Sequence, residues 1–226
     1  MATGHRARVR KRMKNEDVDD MPEYVILEAL LTGTIKRADT CETARSMIEK
    51  FGSMARVIDA SETELANAHG VGPATAEFVK LLPKIYRKYR QSKWGNNVVF
   101  SDCKYTGDFL IDKFIGYNIE VVYVLCMDSN RRMICCTKAH EGSINAVQIS
   151  IRNIIDIALR ANAARVVIAH NHISGNALPS KEDLETTRKL FSALSMVGVI
   201  MDDHVIVADE DYISLAQSNF FNEISG

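Results

Sequence analysis

The chain has 226 residues, of which 46% are hydrophobic and 25% charged, and a formal net charge of −1. That length suits one large or two small domains, and the composition is that of a folded globular protein, not a disordered or fibrous one. No apolar run reaches about 18 residues, so no membrane span is expected; the basic N-terminus lacks a signal-peptide core, which points to the cytoplasm.

The charge is unevenly divided. Residues 1–93 carry 17 Lys and Arg against 13 Asp and Glu, a net of +4, and residues 94–226 carry 11 against 16, a net of −5. Such a split suggests two modules with different partners. The five cysteines (Cys41, Cys103, Cys126, Cys135, Cys136) are odd in number and lack Cys-x-x-Cys spacing, so they read as reduced, mostly buried thiols.

In chain order, the first fourteen residues hold Arg6, Arg8, Arg10, Lys11, Arg12 and Lys14. This is either a solvated helix face or a phosphate-seeking arm. Pro22 in a first-turn position predicts a helix over 22–31. A second helix is predicted over Thr40 to Phe51, capped by Asp39 or Thr40 and stopped near Gly52. Ser53 starts a short helix to Ile58, and Ser61-Glu62-Thr63-Glu64 is a capping-box start. After Ala68-His69-Gly70-Val71-Gly72, Pro73 opens a helix towards Tyr86. Helix, Gly-Val-Gly, helix resembles the helix-hairpin-helix element, in which Gly70 and Gly72 would offer backbone N–H groups to a phosphate. The competing reading is a tight turn between packed helices.

Lys84 to Lys93 forms a basic helix tail, and residues 94–97 read as a linker, dividing the chain into a helical domain 1–93 and a second domain 98–226. A helix is expected over 108–115. From Ile119 the texture is β-rich: a strand to Met127, a turn at 128–130, and a partner strand from Met133 to Thr137. Ser150 caps a helix through Ala163, a strand covers 165–170, a helix covers 181–197 and ends at Gly198, and Val199 to Ala208 supplies closing strands. There is no internal repeat or low-complexity segment.

The chemistry-bearing stretch is His170-Asn171-His172 with Ser180 and Asp183. His170 and His172 end a buried strand and, being two apart, share a face. Ser180 suits the N-cap of the next helix, which places Asp183 in its first turn, where a short loop can return it to the strand end. Two imidazoles and a carboxylate make a three-ligand zinc set with a fourth position open. The alternative is plain: such histidines often only bond to neighbours, and Ser180-x-x-Asp183 is a capping box that needs no metal.

His170-Asn171-His172, Ser174-Gly175, Pro179-Ser180, Asp183 and Asp203-His204-Val205-Ile206-Val207 resemble the RadC branch of the JAMM (JAB/MPN) metalloprotein family. The family pattern is a glutamate, then His-x-His, seven residues, Ser, two residues, Asp, and the spacing here agrees. Gly4-His5-Arg6, Phe51-Gly52-Ser53, the Gly-Val-Gly hairpin and Gly142-Ser143-Ile144-Asn145 are further landmarks. The resemblance implies a helical, helix-hairpin-helix-containing N-terminal domain. It implies a C-terminal α+β (α/β) domain of cytidine deaminase-like JAB/MPN fold, a mixed sheet flanked by helices. It also implies zinc on His170, His172 and Asp183, with the family glutamate falling on Glu120 and Ser180 stabilising an oxyanion. Glu120 is independently conspicuous as a lone acid in an apolar run; Glu141 is its rival. Two positions depart from the family: Ile173 stands where a proline usually follows His-x-His, and Ile151-Arg152-Asn153 replaces Pro-Arg-Glu.

The expectation is a zinc metallopeptidase acting on a peptide or isopeptide bond of an unidentified protein substrate, with Glu120 as general base and Ser180 as oxyanion donor. His204 reads either as a residue orienting a ligand or as a core histidine, the latter slightly favoured. The alternative function is a nucleic-acid-associated protein with a structural or vestigial metal site, binding DNA weakly through Arg6, Arg8, Arg10, Arg12, Gly70 and Gly72. A metal-dependent nuclease is weaker, because one zinc with one carboxylate lacks the two-metal geometry common in such enzymes.

Overall fold

A computed structural model describes residues 2–36, 39–95, 97–142, 151–218, 220 and 221. The chain divides into two compact units, Met1–Ile85 and Tyr86–Gly226. The division falls inside a helix, whereas the residue pattern alone puts it after Lys93.

The first unit is helical: α1 (Ala2–Asn15), a 3-10 turn (Val18–Asp20), α2 (Glu23–Leu31), α3 (Thr40–Phe51), α4 (Met54–Asp59), α5 (Glu62–Ala66) and the start of α6 (Pro73–Ser92). Caps explain the boundaries. The Asp39 carboxylate accepts from the N–H groups of Cys41 and Glu42, and Gly52 ends α3 at φ +91°. Ser53 caps α4, and Ser61 with Glu64 forms the expected capping box. The apolar faces of α2 to α6 meet in a core that includes Leu27, Leu31, Met47, Val57, Leu65 and Val79. Gly70, between α5 and α6, has φ +75°, and a Cβ there would collide with the Thr43 hydroxyl. Gly72 meets open space. Close approach to α3 therefore accounts for the first glycine without any ligand.

The second unit is a five-stranded mixed sheet with helices on both faces, as expected of an α+β JAB/MPN fold. Its further elements are α7 (Cys103–Phe114), β1 (Val121–Met127), β2 (Met133–Glu141), α8 (Ile151–Arg160), β3 (Arg165–Asn171), α9 (Lys181–Met196), β4 (Ile200–Ala208) and β5 (Asp211–Ser214). The strand order is β2-β1-β3-β4-β5, with β3 and β4 parallel and the other pairs antiparallel. Strand alternation divides the core. Tyr123, Leu125, Val167, Ala169, Val205 and Val207 pack with α7. Val122, Val124, Val166 and Ile168 pack with α8 and α9.

Three expectations are corrected. Helix α7 begins at Cys103, capped by Asp102, not at Asp108. Gly107 lies within this helix, where the Tyr212 ring packs so closely that a Cβ would collide with it. Strand β2 runs on to Glu141 because β1 pairs with it as far as Val121↔Glu141. Glu120 lies immediately before β1 and not within it. Ser150 and positions 143–145 of the Gly142-Ser143-Ile144-Asn145 landmark lie outside the described residues.

Candidate metal centre

Strand β3 ends at the centre of the sheet, so its last residues are covered from both sides. His170 is fully buried and lies on the face covered by α9. One residue past the strand, the His172 N–H donates to the Val207 carbonyl of β4 at 2.8 Å, which holds the chain extended for one more step. After seven intervening residues Ser180 caps α9. Its hydroxyl accepts from the Asp183 N–H at 3.1 Å, and the Asp183 carboxylate takes the Ser180 N–H at 2.8 Å and its hydroxyl at 2.6 Å. The capping box and the candidate ligand are thus the same residues, and the cap aims Asp183 back at the strand end.

Three donor groups converge there. His170 Nε2 lies 3.0 Å from His172 Nε2 and 3.1 Å from Asp183 Oδ1, and His172 Nε2 lies 3.4 Å from Asp183 Oδ2. Among the described residues this is the one set of three His, Cys, Asp or Glu side chains close enough to hold a metal ion. His172 Nδ1 sits 2.9 Å from the Asn176 carbonyl, which can only accept, so that nitrogen carries the proton and Nε2 presents its lone pair. The Asp183 carboxylate, against the tendency of burial to raise its pKa, is held far below the usual range by both imidazoles and Ser180. His172 is raised, first by its bond to Asp183 and against its burial; the Asn176 carbonyl and the charges of Asp183 and Glu120 add to the rise.

Glu120 is half-buried, and its charge is felt at His172. Its carbonyl accepts from the Gly142 N–H at 2.9 Å. Its two neighbours are bracketed by one side chain that the residue pattern does not single out. Asn171, the middle residue of His-x-His, accepts from the Val121 N–H at 2.7 Å and donates to the Ile119 carbonyl at 3.0 Å. The amide continues the β1–β3 ladder past its last backbone pair and ties the acid to the strand that carries the histidines. Glu141 is exposed and ion-paired with Lys138.

Behind His170 lie two more buried polar residues. His170 Nδ1 is 2.9 Å from His204 Nε2, His204 Nδ1 is 2.6 Å from the Thr187 hydroxyl, and that hydroxyl donates to the Asp183 carbonyl at 2.6 Å. His204 and Thr187 are both wholly buried. Burial, aided by His170, pushes His204 down to about 3, so it is neutral. Thr187 has one legible signal, its place four residues after Asp183 on the same helix.

A family model described as a RadC-like JAB domain matches residues 100–220. The chain belongs to the RadC-like JAB domain family. Among its curated relatives is a UPF0758 protein of Acinetobacter baylyi, 32% identical over 211 residues that cover 93% of this chain and 78% of the relative. One from Fusobacterium nucleatum is 31% identical over 221 residues, 95% of each chain, and one from Shewanella halifaxensis is 29% identical over 213 residues, 94% and 95%. The JAB assignment makes a hydrolase-type fold the frame for the His170, His172 and Asp183 cluster. The two departures from the RadC pattern leave that cluster intact. Ile173 is exposed, and the Asn153 amide donates to the Ala139 carbonyl at 2.8 Å, joining α8 to β2.

The residues singled out for nucleic acid belong to the helical unit. Arg6 donates to the Ile35 carbonyl at 2.6 Å, and beside it His5 Nε2 lies 2.6 Å from the buried Glu28 carboxylate; both fasten α1. Arg12 pairs with Glu16 four residues on. Arg8, Arg10 and Lys11 are exposed. Among the described residues no helix is long and apolar enough to cross a membrane.

Proposed function

We propose that this RadC-like JAB protein is a zinc-dependent peptidase or isopeptidase. The observation that carries the reading is the convergence of His170, His172 and Asp183 at separations of 3.0, 3.1 and 3.4 Å. Two donors each about 2.0 Å from a tetrahedral zinc stand about 3.3 Å apart, so the donor set fits the ion in type and spacing. When bound, zinc supplies Lewis acidity that lowers the pKa of a water from about 15.7 towards about 7. The chain's own residues do the remainder. Glu120, held beside His172, accepts a proton from the attacking water and passes it to the leaving amine. Ser180, exposed at the α9 cap, donates to the carbonyl oxygen as charge develops on it, a contribution of about 3 kcal/mol in comparable sites. To do so its hydroxyl must release the Asp183 carboxylate it now serves.

Elemental analysis tests the metal. Protein purified without added zinc should carry about one ion per chain, and His172→Ala and Asp183→Ala should lose most of it. Absence of zinc, with no change in melting temperature when zinc is added, would overturn the reading. Screening protein and DNA substrates against the same variants tests the activity.

A second reading has its own support in the exposed Arg8, Arg10 and Lys11 of α1: weak, sequence-independent DNA or RNA binding by the helical unit. Reversing Arg8 and Arg10 to Glu in the whole chain should weaken binding in fluorescence anisotropy. Its salt dependence should flatten by about one log unit for each phosphate no longer neutralised. Unchanged binding and slope would assign that face to solvent.

A further inference from the structure

We infer that His204 and Thr187 are positioning residues that fix the tautomer and ring orientation of His170 and lock it to the helix carrying Asp183. Two residues that cannot reach the metal then govern its affinity. The inference deepens the metal reading above and rests on it.

A proton count sets the direction of the chain. Thr187 has one hydroxyl proton, and its oxygen lies 2.6 Å from the Asp183 carbonyl, which can only accept. The proton is therefore spent there. His204 Nδ1, 2.6 Å from the same hydroxyl oxygen, must then be the donor. A neutral imidazole has one N–H, so His204 Nε2 is an acceptor, and His170 Nδ1, 2.9 Å away, donates to it. What remains on His170 is the lone pair of Nε2, facing His172 and Asp183. Reversing any one bond of the relay would put two lone pairs or two protons against each other among wholly buried groups; lone pairs face each other instead at His170 Nε2, His172 Nε2 and the Asp183 carboxylate, where a cation would be held.

The relay closes a loop. It leaves His170 on β3, crosses to His204 on β4, passes to Thr187 on α9, and returns through the main chain of α9 to Asp183, the other buried ligand. His172 lies outside this loop and takes its orientation from Asn176. The buried ligands are thus held by a wholly buried network, and the partly exposed His172 by a loop carbonyl. Outer contacts of this type typically change metal affinity by about 10–100-fold when removed.

Thr187→Val keeps the shape of the side chain and removes the hydroxyl; Thr187→Ser keeps the hydroxyl. Zinc affinity is read by competition with a chelator, the electronic spectrum is read on cobalt-substituted protein, and folding is checked by thermal melting. Thr187→Val should weaken zinc about 10-fold or more and shift the cobalt bands, whereas Thr187→Ser should stay within about 3-fold with an unshifted spectrum. His204→Phe should weaken zinc at least as much as Thr187→Val, with His204→Gln in between, because its amide can both donate and accept. If Thr187→Val folds and binds zinc within about 3-fold of the parent, or Thr187→Ser loses as much as Thr187→Val, the relay is overturned. Should Thr187→Val or His204→Phe fail to fold, the tautomers decide. Long-range proton–nitrogen NMR of metal-free parent protein at pH 8.5 should show His170 and His204 each protonated on Nδ1; an Nε2 proton on His204, or a His170 with no proton on Nδ1, overturns the relay. The same spectrum separates the two claims: a parent that binds no zinc sinks the metal reading, and the tautomers then decide the relay alone.

Discussion

Glu120→Gln should leave the chain folded and its metal content unchanged while hydrolysis falls by at least about 10²-fold. A positioned general acid–base group typically supplies about 10²–10⁴. The substitution keeps the size of the side chain and removes only its ability to take a proton. It leaves the three converging donors untouched, because Glu120 is not among them. It should not move the backbone either, since the Asn171 amide and the Gly142 N–H hold that segment through main-chain groups. Two measurements are needed, zinc per chain and turnover as a function of pH. Near-parental turnover would move the role to another acid, Glu141 first, although its carboxylate is exposed and paired with Lys138.

The site is legible in the sequence to the extent that its signals are local. His170, His172, Ser180 and Asp183 lie within fourteen consecutive positions, and strand alternation plus one helix cap relates them with no knowledge of the remaining fold. Glu120 is about fifty residues earlier, picked out by the family pattern and as a lone acid in an apolar run; its pairing with the His-x-His strand depends on β1 lying beside β3. Asn171 looks like a spacer because its function is to replace a backbone pair, and a side chain that mimics main chain has no sequence signature. For His204 the sequence slightly favours a core histidine, and its burial agrees, but burial is the wrong discriminator. What matters is which atoms its two nitrogens face, and that is fixed by β3–β4 register and by α9 packing. The helix caps of the first unit are legible for the same local reason, whereas the start of α7 is hidden because Gly107 owes its place to Tyr212, about a hundred residues away. The basic N-terminus shows the limit of counting charge: of the four arginines singled out there, Arg6 is spent on a carbonyl and Arg12 on a neighbouring carboxylate.

The second large effect is expected on stability, at Asp203. Its side chain points to the α7 face of β4, away from the metal centre, and is almost wholly buried. One oxygen accepts from the N–H groups of His204 and Ala216 at 2.7 and 2.9 Å, and the other accepts the Ser214 hydroxyl at 2.5 Å. These bonds favour the charged form but do not compensate for burial, and the carboxyl is pushed up to about 6. In the unfolded chain it titrates near 3.9. The folded state therefore keeps this proton to higher pH than the unfolded state does. Stability from this group is highest below about pH 4, falls as pH rises from about 4 to about 6, and is lower by about 3 kcal/mol from there upward. Asp203→Asn mimics the protonated form, with an oxygen to accept the two N–H groups and an amide to donate to Ser214. The variant should exceed the parent by up to about 3 kcal/mol in denaturant unfolding at pH 7.5, with the advantage shrinking towards zero near pH 4. Any metal contribution is common to both proteins at each pH and cancels in the difference. A pH-independent difference, or a variant less stable than the parent at pH 7.5, would mean that the three hydrogen bonds outweigh burial and that the ionised carboxylate is the form the fold prefers.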